Sequence, residues 1–254
     1  MSSIIGRLRK RSARHAAEPS EPSFVASLDD TERAIIAEAQ PFSMTSPERL
    51  VANMDAVDYV VRRDIPGAIV ECGVWRGGSV LVMLRALQHL GIADRDVYLF
   101  DTFEGMTEPT DAETSRFAVP ALQEWESATT EGKRAWETYF GADKFNLDGV
   151  RALMRDSGYP GDRVHFIEGR VEDTIPGRAP AEIAILRLDT DWYESTRHEL
   201  QFLYPRLSHG GVLIIDDYGH WDGCRRAVDE YFLAASPAPL LSRIDYTGRI
   251  AIKS

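Results

Sequence analysis

Residues 68–79, A-I-V-E-C-G-V-W-R-G-G-S, constrain the fold more than any other stretch of this chain. The apolar part is too short for a helix. It reads as a fully buried parallel strand, which needs apolar side chains on both faces. Glu71 and Gly73 close that strand, and a loop through Gly77 and Gly78 opens a helical segment over residues 80–90. Strand, glycine loop and helix in this order form a nucleotide-binding α/β unit.

The glycine spacing separates two classes of cofactor. A dinucleotide site wants G-x-G-x-x-G, whose second glycine lets a pyrophosphate approach the helix N-terminus. Here Val74 and Trp75 fill the loop between Gly73 and Gly77-Gly78, so a pyrophosphate is poorly served. An acid closing the strand, followed by a looser turn, suits a cofactor with a cationic amino-acid end and no phosphate, S-adenosylmethionine. The next predicted strand, residues 95–101, ends in Asp101. An acid about 20 to 30 residues beyond the glycine loop is placed to accept hydrogen bonds from ribose hydroxyls.

The remainder alternates strand and helix. Strands are predicted over 164–168, 182–188 and 212–215, with helices over 193–207 and 225–234. Two short strands, 242–246 and 249–252, follow as a hairpin turned by Thr247-Gly248. This pattern predicts an α/β fold: a mostly parallel seven-stranded sheet, Rossmann-like, with helices on both faces and an antiparallel hairpin at the end. Residues 67–254 are expected to form that domain. Residues 104–146 interrupt it as a polar insertion with scattered aromatics, Trp125, Trp136, Tyr139, Phe140 and Phe145. It reads either as a cover over the active-site edge or as a structural cap packing its rings on the core. Residues 24–66 are expected to be helical, a lid or oligomer contact, with Asp29 or Asp30 capping one helix and Ser46-Pro47 starting a second. Residues 1–23, with Arg7, Arg9, Lys10, Arg11 and Arg14, read as a disordered basic tail.

A formal net charge of −11 argues against nucleic acid or an anionic membrane as partner. No apolar run approaches the roughly 18 to 20 residues of a membrane span. Cys72 and Cys224 cannot build a disulfide framework, so a cytoplasmic location is expected.

In a parallel sheet the ligand lies outside the carboxyl ends of the strands, and acids crowd that edge. Asp189 and Asp191 have the i, i+2 spacing that sends two side chains to one side of an extended segment. Asp216 and Asp217 end the neighbouring strand. Four such carboxylates repel one another unless a cation lies between them, and oxygen ligands select Mg²⁺, Mn²⁺ or Ca²⁺. The plainer reading is also open, because Asp191-Trp192-Tyr193-Glu194 has the spacing of a capping box. His220 and Trp221 either line the acceptor pocket or pack as ordinary loop residues.

Taken together, I-V-E-C-G-V-W-R-G-G-S (69–79), Y-L-F-D-T-F-E-G (98–105), L-R-L-D-T-D-W-Y-E-S-T (186–196), L-Y-P-R-L-S-H-G-G (203–211) and I-I-D-D-Y (214–218) closely resemble the macrocin O-methyltransferase family. The resemblance implies a class I methyltransferase that transfers a methyl group to a sugar hydroxyl of a glycosylated natural product. It implies Mg²⁺ held by Asp189, Asp216 and Asp217, with Asp191 as general base. Contacts to S-adenosylmethionine would come from Thr45, Glu71, Gly73, Ser79, Asp101, Thr102, Phe103 and Gly169. By analogy the enzyme is a homo-oligomer. The rivals are a methyltransferase of phenolic or catechol acceptors, a nicotinamide-dependent oxidoreductase, and a silent binding module that keeps the fold.

Overall fold

The computed structural model describes residues 27–142, 144–234 and 238–254; the expected basic tail lies outside them. The first helix, α1 (Asp30–Ala39), starts at a complete capping box between Asp29 and Glu32. The second, α2 (Pro47–Arg62), starts at Ser46, whose hydroxyl accepts from the Arg49 amide, with Pro47 at the first helical position. The opening strand is β1 (Ala68–Cys72), buried along its whole length, and α3 (Gly78–His89) follows the glycine loop.

Next come β2 (Val97–Asp101) and the predicted insertion, which carries α4 (Ala121–Thr130) and α5 (Glu137–Phe140). Regular alternation resumes with α6 (Leu147–Asp156), β3 (Val164–Glu168), α7 (Val171–Thr174), β4 (Ile183–Leu188), α8 (Tyr193–Leu203), β5 (Leu207–Ile215) and α9 (Asp222–Ala234). The chain ends in β6 (Ser242–Arg243) and β7 (Arg249–Ile252).

One seven-stranded sheet has the order β3-β2-β1-β4-β5-β7-β6. Its pairings are parallel except at β7, which runs antiparallel to both β5 and β6. The expected fold class is therefore observed. The two predicted bounds that shift furthest are the start of β5, at Leu207 rather than 212, and the end of α8, at Leu203 rather than 207. Tyr204-Pro205-Arg206 forms a short 3-10 turn between them, because proline cannot continue the helical hydrogen bonding.

Alternation along the strands divides the core. Ile69, Ile185 and Ile214 pack on one face with residues of α1, α2 and α3, while Val70, Leu186 and Ile215 pack on the other with α8 and α9. The same alternation puts Glu71, Arg187, Asp189 and Asp216 on the α2 side, and Glu71 and Arg187 are register partners across β1 and β4. The strand order reverses between β1 and β4, which opens the crevice where ligands bind in sheets of this kind.

Candidate active site

A cavity of about 600 Å³ lies over the carboxyl ends of β1, β2, β4 and β5. Thr45, Glu71, Gly73, Ser79, Asp101, Thr102, Gly169, Asp189, Asp191, Asp216 and Asp217 all line it. Of the cofactor, metal and catalytic residues expected from the sequence, Phe103 alone is not on the wall; its buried ring packs near Phe145 and Phe166. The insertion adds Met106, Trp136, Tyr139 and Phe140 to the lining, and the segment before α2 adds Phe42 and Met44. Trp136 of the insertion also packs on Trp192.

Local backbone chemistry shapes the half of the cavity nearest the glycine loop. Gly73 has φ 82°, and a Cβ there would lie 1.9 Å from the Asp189 carbonyl oxygen, so only glycine lets β1 turn beside β4. Asp101 accepts hydrogen bonds at Oδ2 from the Val74 and Trp75 amides, at 2.7 and 3.0 Å, and at Oδ1 from the Phe103 amide at 2.7 Å. It ties the loop after β1 to the end of β2. Phe103 therefore serves the site through its amide.

The other half gathers charge. Asp189, Asp216 and Asp217 each offer a carboxylate oxygen, and these atoms lie within 4.8 Å of one another. Oδ2 of Asp217 is buried without a hydrogen-bond partner. An all-oxygen donor set with a desolvated, unsatisfied carboxylate atom fits a hard divalent cation. Repulsion at Asp189 and Asp216 is, however, already offset by two arginines not singled out from the sequence. Arg187, fully buried near the carboxyl end of β4, donates through Nη1 to Glu71 Oε1 and Asp189 Oδ2, both at 2.6 Å, and through Nη2 to Asp216 Oδ1. Arg49 of α2 donates to Asp216 Oδ2 and, at 3.0 Å, to Asp245. Contrary to the expectation from the sequence, Asp189 and Asp216 thus have counter-charges without an added cation. The signal was an arginine at an inward position of an otherwise apolar strand, since a charge there is stable only when paired.

Burial dominates the electrostatics. It pushes the Glu71 carboxyl up to about 8 despite the attraction of Arg187. Asp216 is pushed up to about 6, by burial and then by Asp189, against the pull of Arg187 and Arg49. Asp191 and Asp217 stand well above the ordinary carboxylate range, through burial first and then through neighbouring aspartates.

Asp191 is not a helix cap. Its φ is 66°, outside the extended region, so strand alternation does not aim it. Trp192 holds the N-cap position of α8 without a side-chain cap bond. The α8 amide of Tyr193 donates instead to Glu113 Oε1 at 3.2 Å, an acid of the insertion that is itself buried. Asp191 Oδ1 accepts from the Trp221 indole Nε1 at 2.9 Å. Beneath the loop, Glu199 accepts from the Thr190 hydroxyl at 2.9 Å. His220 and Trp221 both line the cavity.

The sequence profile of the macrocin-O-methyltransferase (TylF) family matches residues 8–251. The chain belongs to this family. Like its other members it is an S-adenosylmethionine-dependent O-methyltransferase, and the nicotinamide and silent-module readings are set aside. It is 37% identical over 206 residues to the 8-demethyl-8-(2,3-dimethoxy-alpha-L-rhamnosyl)-tetracenomycin-C 4'-O-methyltransferase of Streptomyces olivaceus, covering 81% of this chain and 73% of that one. It is 32% identical to the mycinamicin III 3''-O-methyltransferase of Micromonospora griseorubida, covering 79% of this chain and 78% of the relative. Among solved structures, the O-methyltransferase NovP aligns with a TM-score of 0.70 at 30% identity, over 84% of this chain and 82% of NovP. The calicheamicin methyltransferase CalS11, at 20% identity and a TM-score of 0.57, shares the fold over 93% of this chain and 99% of its own. No helix among the described residues is long and apolar enough to cross a membrane.

Proposed function

We propose that this methyltransferase acts, with Mg²⁺, on a hydroxyl of a sugar carried by a glycosylated natural product. The observation that carries the reading is the meeting of Asp189, Asp216 and Asp217 at the end of the cavity, with Asp191 beside them. The names of its relatives, which specify a rhamnosyl-tetracenomycin and mycinamicin III, support the acceptor class.

In this reading Thr45, Glu71, Gly73, Ser79, Asp101, Thr102 and Gly169 hold S-adenosylmethionine, and the Phe103 amide steadies Asp101. S-adenosylmethionine supplies an electrophilic methyl group. Asp189, Asp216 and Asp217 would hold the ion, which when bound would supply Lewis-acid polarisation of the acceptor hydroxyl. Asp191 takes the hydroxyl proton on a carboxylate oxygen, while the Trp221 indole holds its other oxygen in place. Arg187 and Arg49 fix the Asp216 carboxylate from both sides, so the acids reach the reaction already ordered. The cavity walls align the two reactants, which is the protein's main contribution to an in-line displacement.

Residues 24–66 serve as a lid or an oligomer contact, residues 104–146 border the acceptor, and the enzyme is a cytoplasmic homo-oligomer. Methyl transfer from labelled S-adenosylmethionine to rhamnosides, with and without EDTA, tests the reaction. Transfer that persists undiminished after chelation would remove the metal from the mechanism.

A further inference from the structure

Acceptor and cofactor occupy opposite ends of the cavity if the glycine loop holds one and the aspartates prepare the other. A glycoside must then pass its aglycone out of the cavity on the aspartate side. There His220 and Tyr246 line the cavity, and the ring of Phe117 packs against both, so three separate segments meet. His220 follows β5, Tyr246 stands in the hairpin before β7, and Phe117 belongs to the insertion. His220 Nδ1 and the Tyr246 hydroxyl are 3.1 Å apart. The Phe117 ring meets Tyr246 edge-on at 5.2 Å and lies nearly parallel to His220 at 5.9 Å. Phe117 is 49% exposed and Tyr246 56%, and apolar surface of this size beside a cavity marks a place where a ligand sits.

The rings are held rather than loose. Four residues before Phe117, the buried Glu113 bonds the first amide of α8, and its Oε2 fills the space of a Cβ on Gly223 at the start of α9, 1.7 Å away. Thr114 adds two bonds to Asp222, one through its carbonyl at 2.8 Å and one through its hydroxyl at 2.9 Å. Charge speaks against a nucleotide-linked sugar at this exit. Acids outnumber arginines along the cavity, Arg49 is committed to Asp216 and Asp245, and Arg116 lies over the Phe117 ring with its guanidinium 4.6 Å away. A diphosphate would meet an edge of net negative charge with Arg116 as one cation against it; a planar apolar group would meet rings.

Resting on the glycoside reading above, we propose that Phe117, His220 and Tyr246 form a binding subsite for a planar, apolar aglycone, and that this subsite sets acceptor preference. The full chain, in S-adenosylhomocysteine and MgCl₂, is titrated calorimetrically with 4-methylumbelliferyl α-L-rhamnoside and with methyl α-L-rhamnoside. The aryl glycoside is expected to bind about tenfold tighter, equivalent to about 1.4 kcal/mol. Phe117→Ala and Tyr246→Ala should each cut that preference to about twofold or less, with S-adenosylhomocysteine affinity as the control for folding. Tyr246→Phe, which keeps the ring, should retain it. Equal binding of the two glycosides by the wild type, absence of aryl glycoside binding, a preference that survives Phe117→Ala, or tighter binding of a thymidine-diphosphate sugar would each overturn the proposal. Methyl transfer in the same samples reports on the reaction separately. A ring-dependent preference without transfer supports the subsite while overturning the acceptor assignment.

Discussion

The indole Nε1 of Trp221 donates to Oδ1 of Asp191 across 2.9 Å, joining the loop after β5 to the loop after β4. Asp191 sits at a φ of 66°, in the left-handed region that few non-glycine residues adopt and that aspartate tolerates better than most. Trp221→Phe keeps the packing against Trp192 and removes the bond. A hydrogen bond to a charged group contributes about 1.5–3 kcal/mol, so kcat should fall at least about tenfold while the KM for S-adenosylmethionine stays near wild type. Steady-state kinetics in both substrates would show it.

Asp191→Asn preserves shape and the indole bond but removes the proton acceptor. Loss of a positioned general base costs about 10²–10⁴ in rate. Calorimetry should return unaltered affinity for S-adenosylhomocysteine, and near-wild-type turnover would rule out Asp191 as the base.

Arg187 is the buried counter-charge of Glu71, Asp189 and Asp216. Arg187→Met leaves those acids facing one another, and breaking a buried pair typically costs about 3–5 kcal/mol. The variant should melt well below wild type. Adding Glu71→Gln should recover part of the loss, since the two residues share one network. A double-mutant cycle in urea measures that recovery, and strict additivity would contradict it.

Burial raises the folded-state affinity of Glu71 and Asp216 for protons, to about 8 and about 6. Folded protein therefore binds more protons than unfolded chain between the ordinary carboxylate range and those values. The associated stability is complete at acidic pH and is lost as pH rises through about 6 and then about 8. In EDTA the melting temperature should decline between pH 5.5 and 8.5. MgCl₂ should flatten the decline, because ion binding favours the ionised carboxylates. Parallel curves with and without Mg²⁺ would count against a metal at these residues.

Gly223→Ala tests how the insertion is seated. The added methyl would collide with Glu113 Oε2, 1.7 Å from its ideal position. Glu113 must withdraw, and the segment that carries Phe117 shifts with it. Acceptor KM should rise several-fold while S-adenosylhomocysteine affinity changes little; an equal loss of both would place the damage elsewhere.

Much of the site was legible because strand ends can be read from hydrophobic runs. Once β1, β2, β4 and β5 were located, Glu71, Gly73, Asp101, Asp189, Asp216 and Asp217 followed as the residues closing them, and all line the cavity. Arg187 was hidden inside such a run: L-R-L reads as strand whichever way the middle residue points. Arg49 lies on a helix that looked merely amphipathic, 167 residues from Asp216. Glu113 sits in an insertion without periodicity, so nothing local ties it to the start of α8, 80 residues away.

The sequence by itself determined the order of strands and helices, the glycine turn after β1 and the list of acids at the sheet edge, because these depend on local periodicity and on backbone freedom at single residues. Only the tertiary structure decided what those acids meet. Whether a carboxylate faces a cation, an indole or another carboxylate depends on long-range pairing between strands and on helices packed across them. That pairing set Arg187 between Glu71, Asp189 and Asp216, and turned Asp191 from an apparent helix cap into a carboxylate held by Trp221.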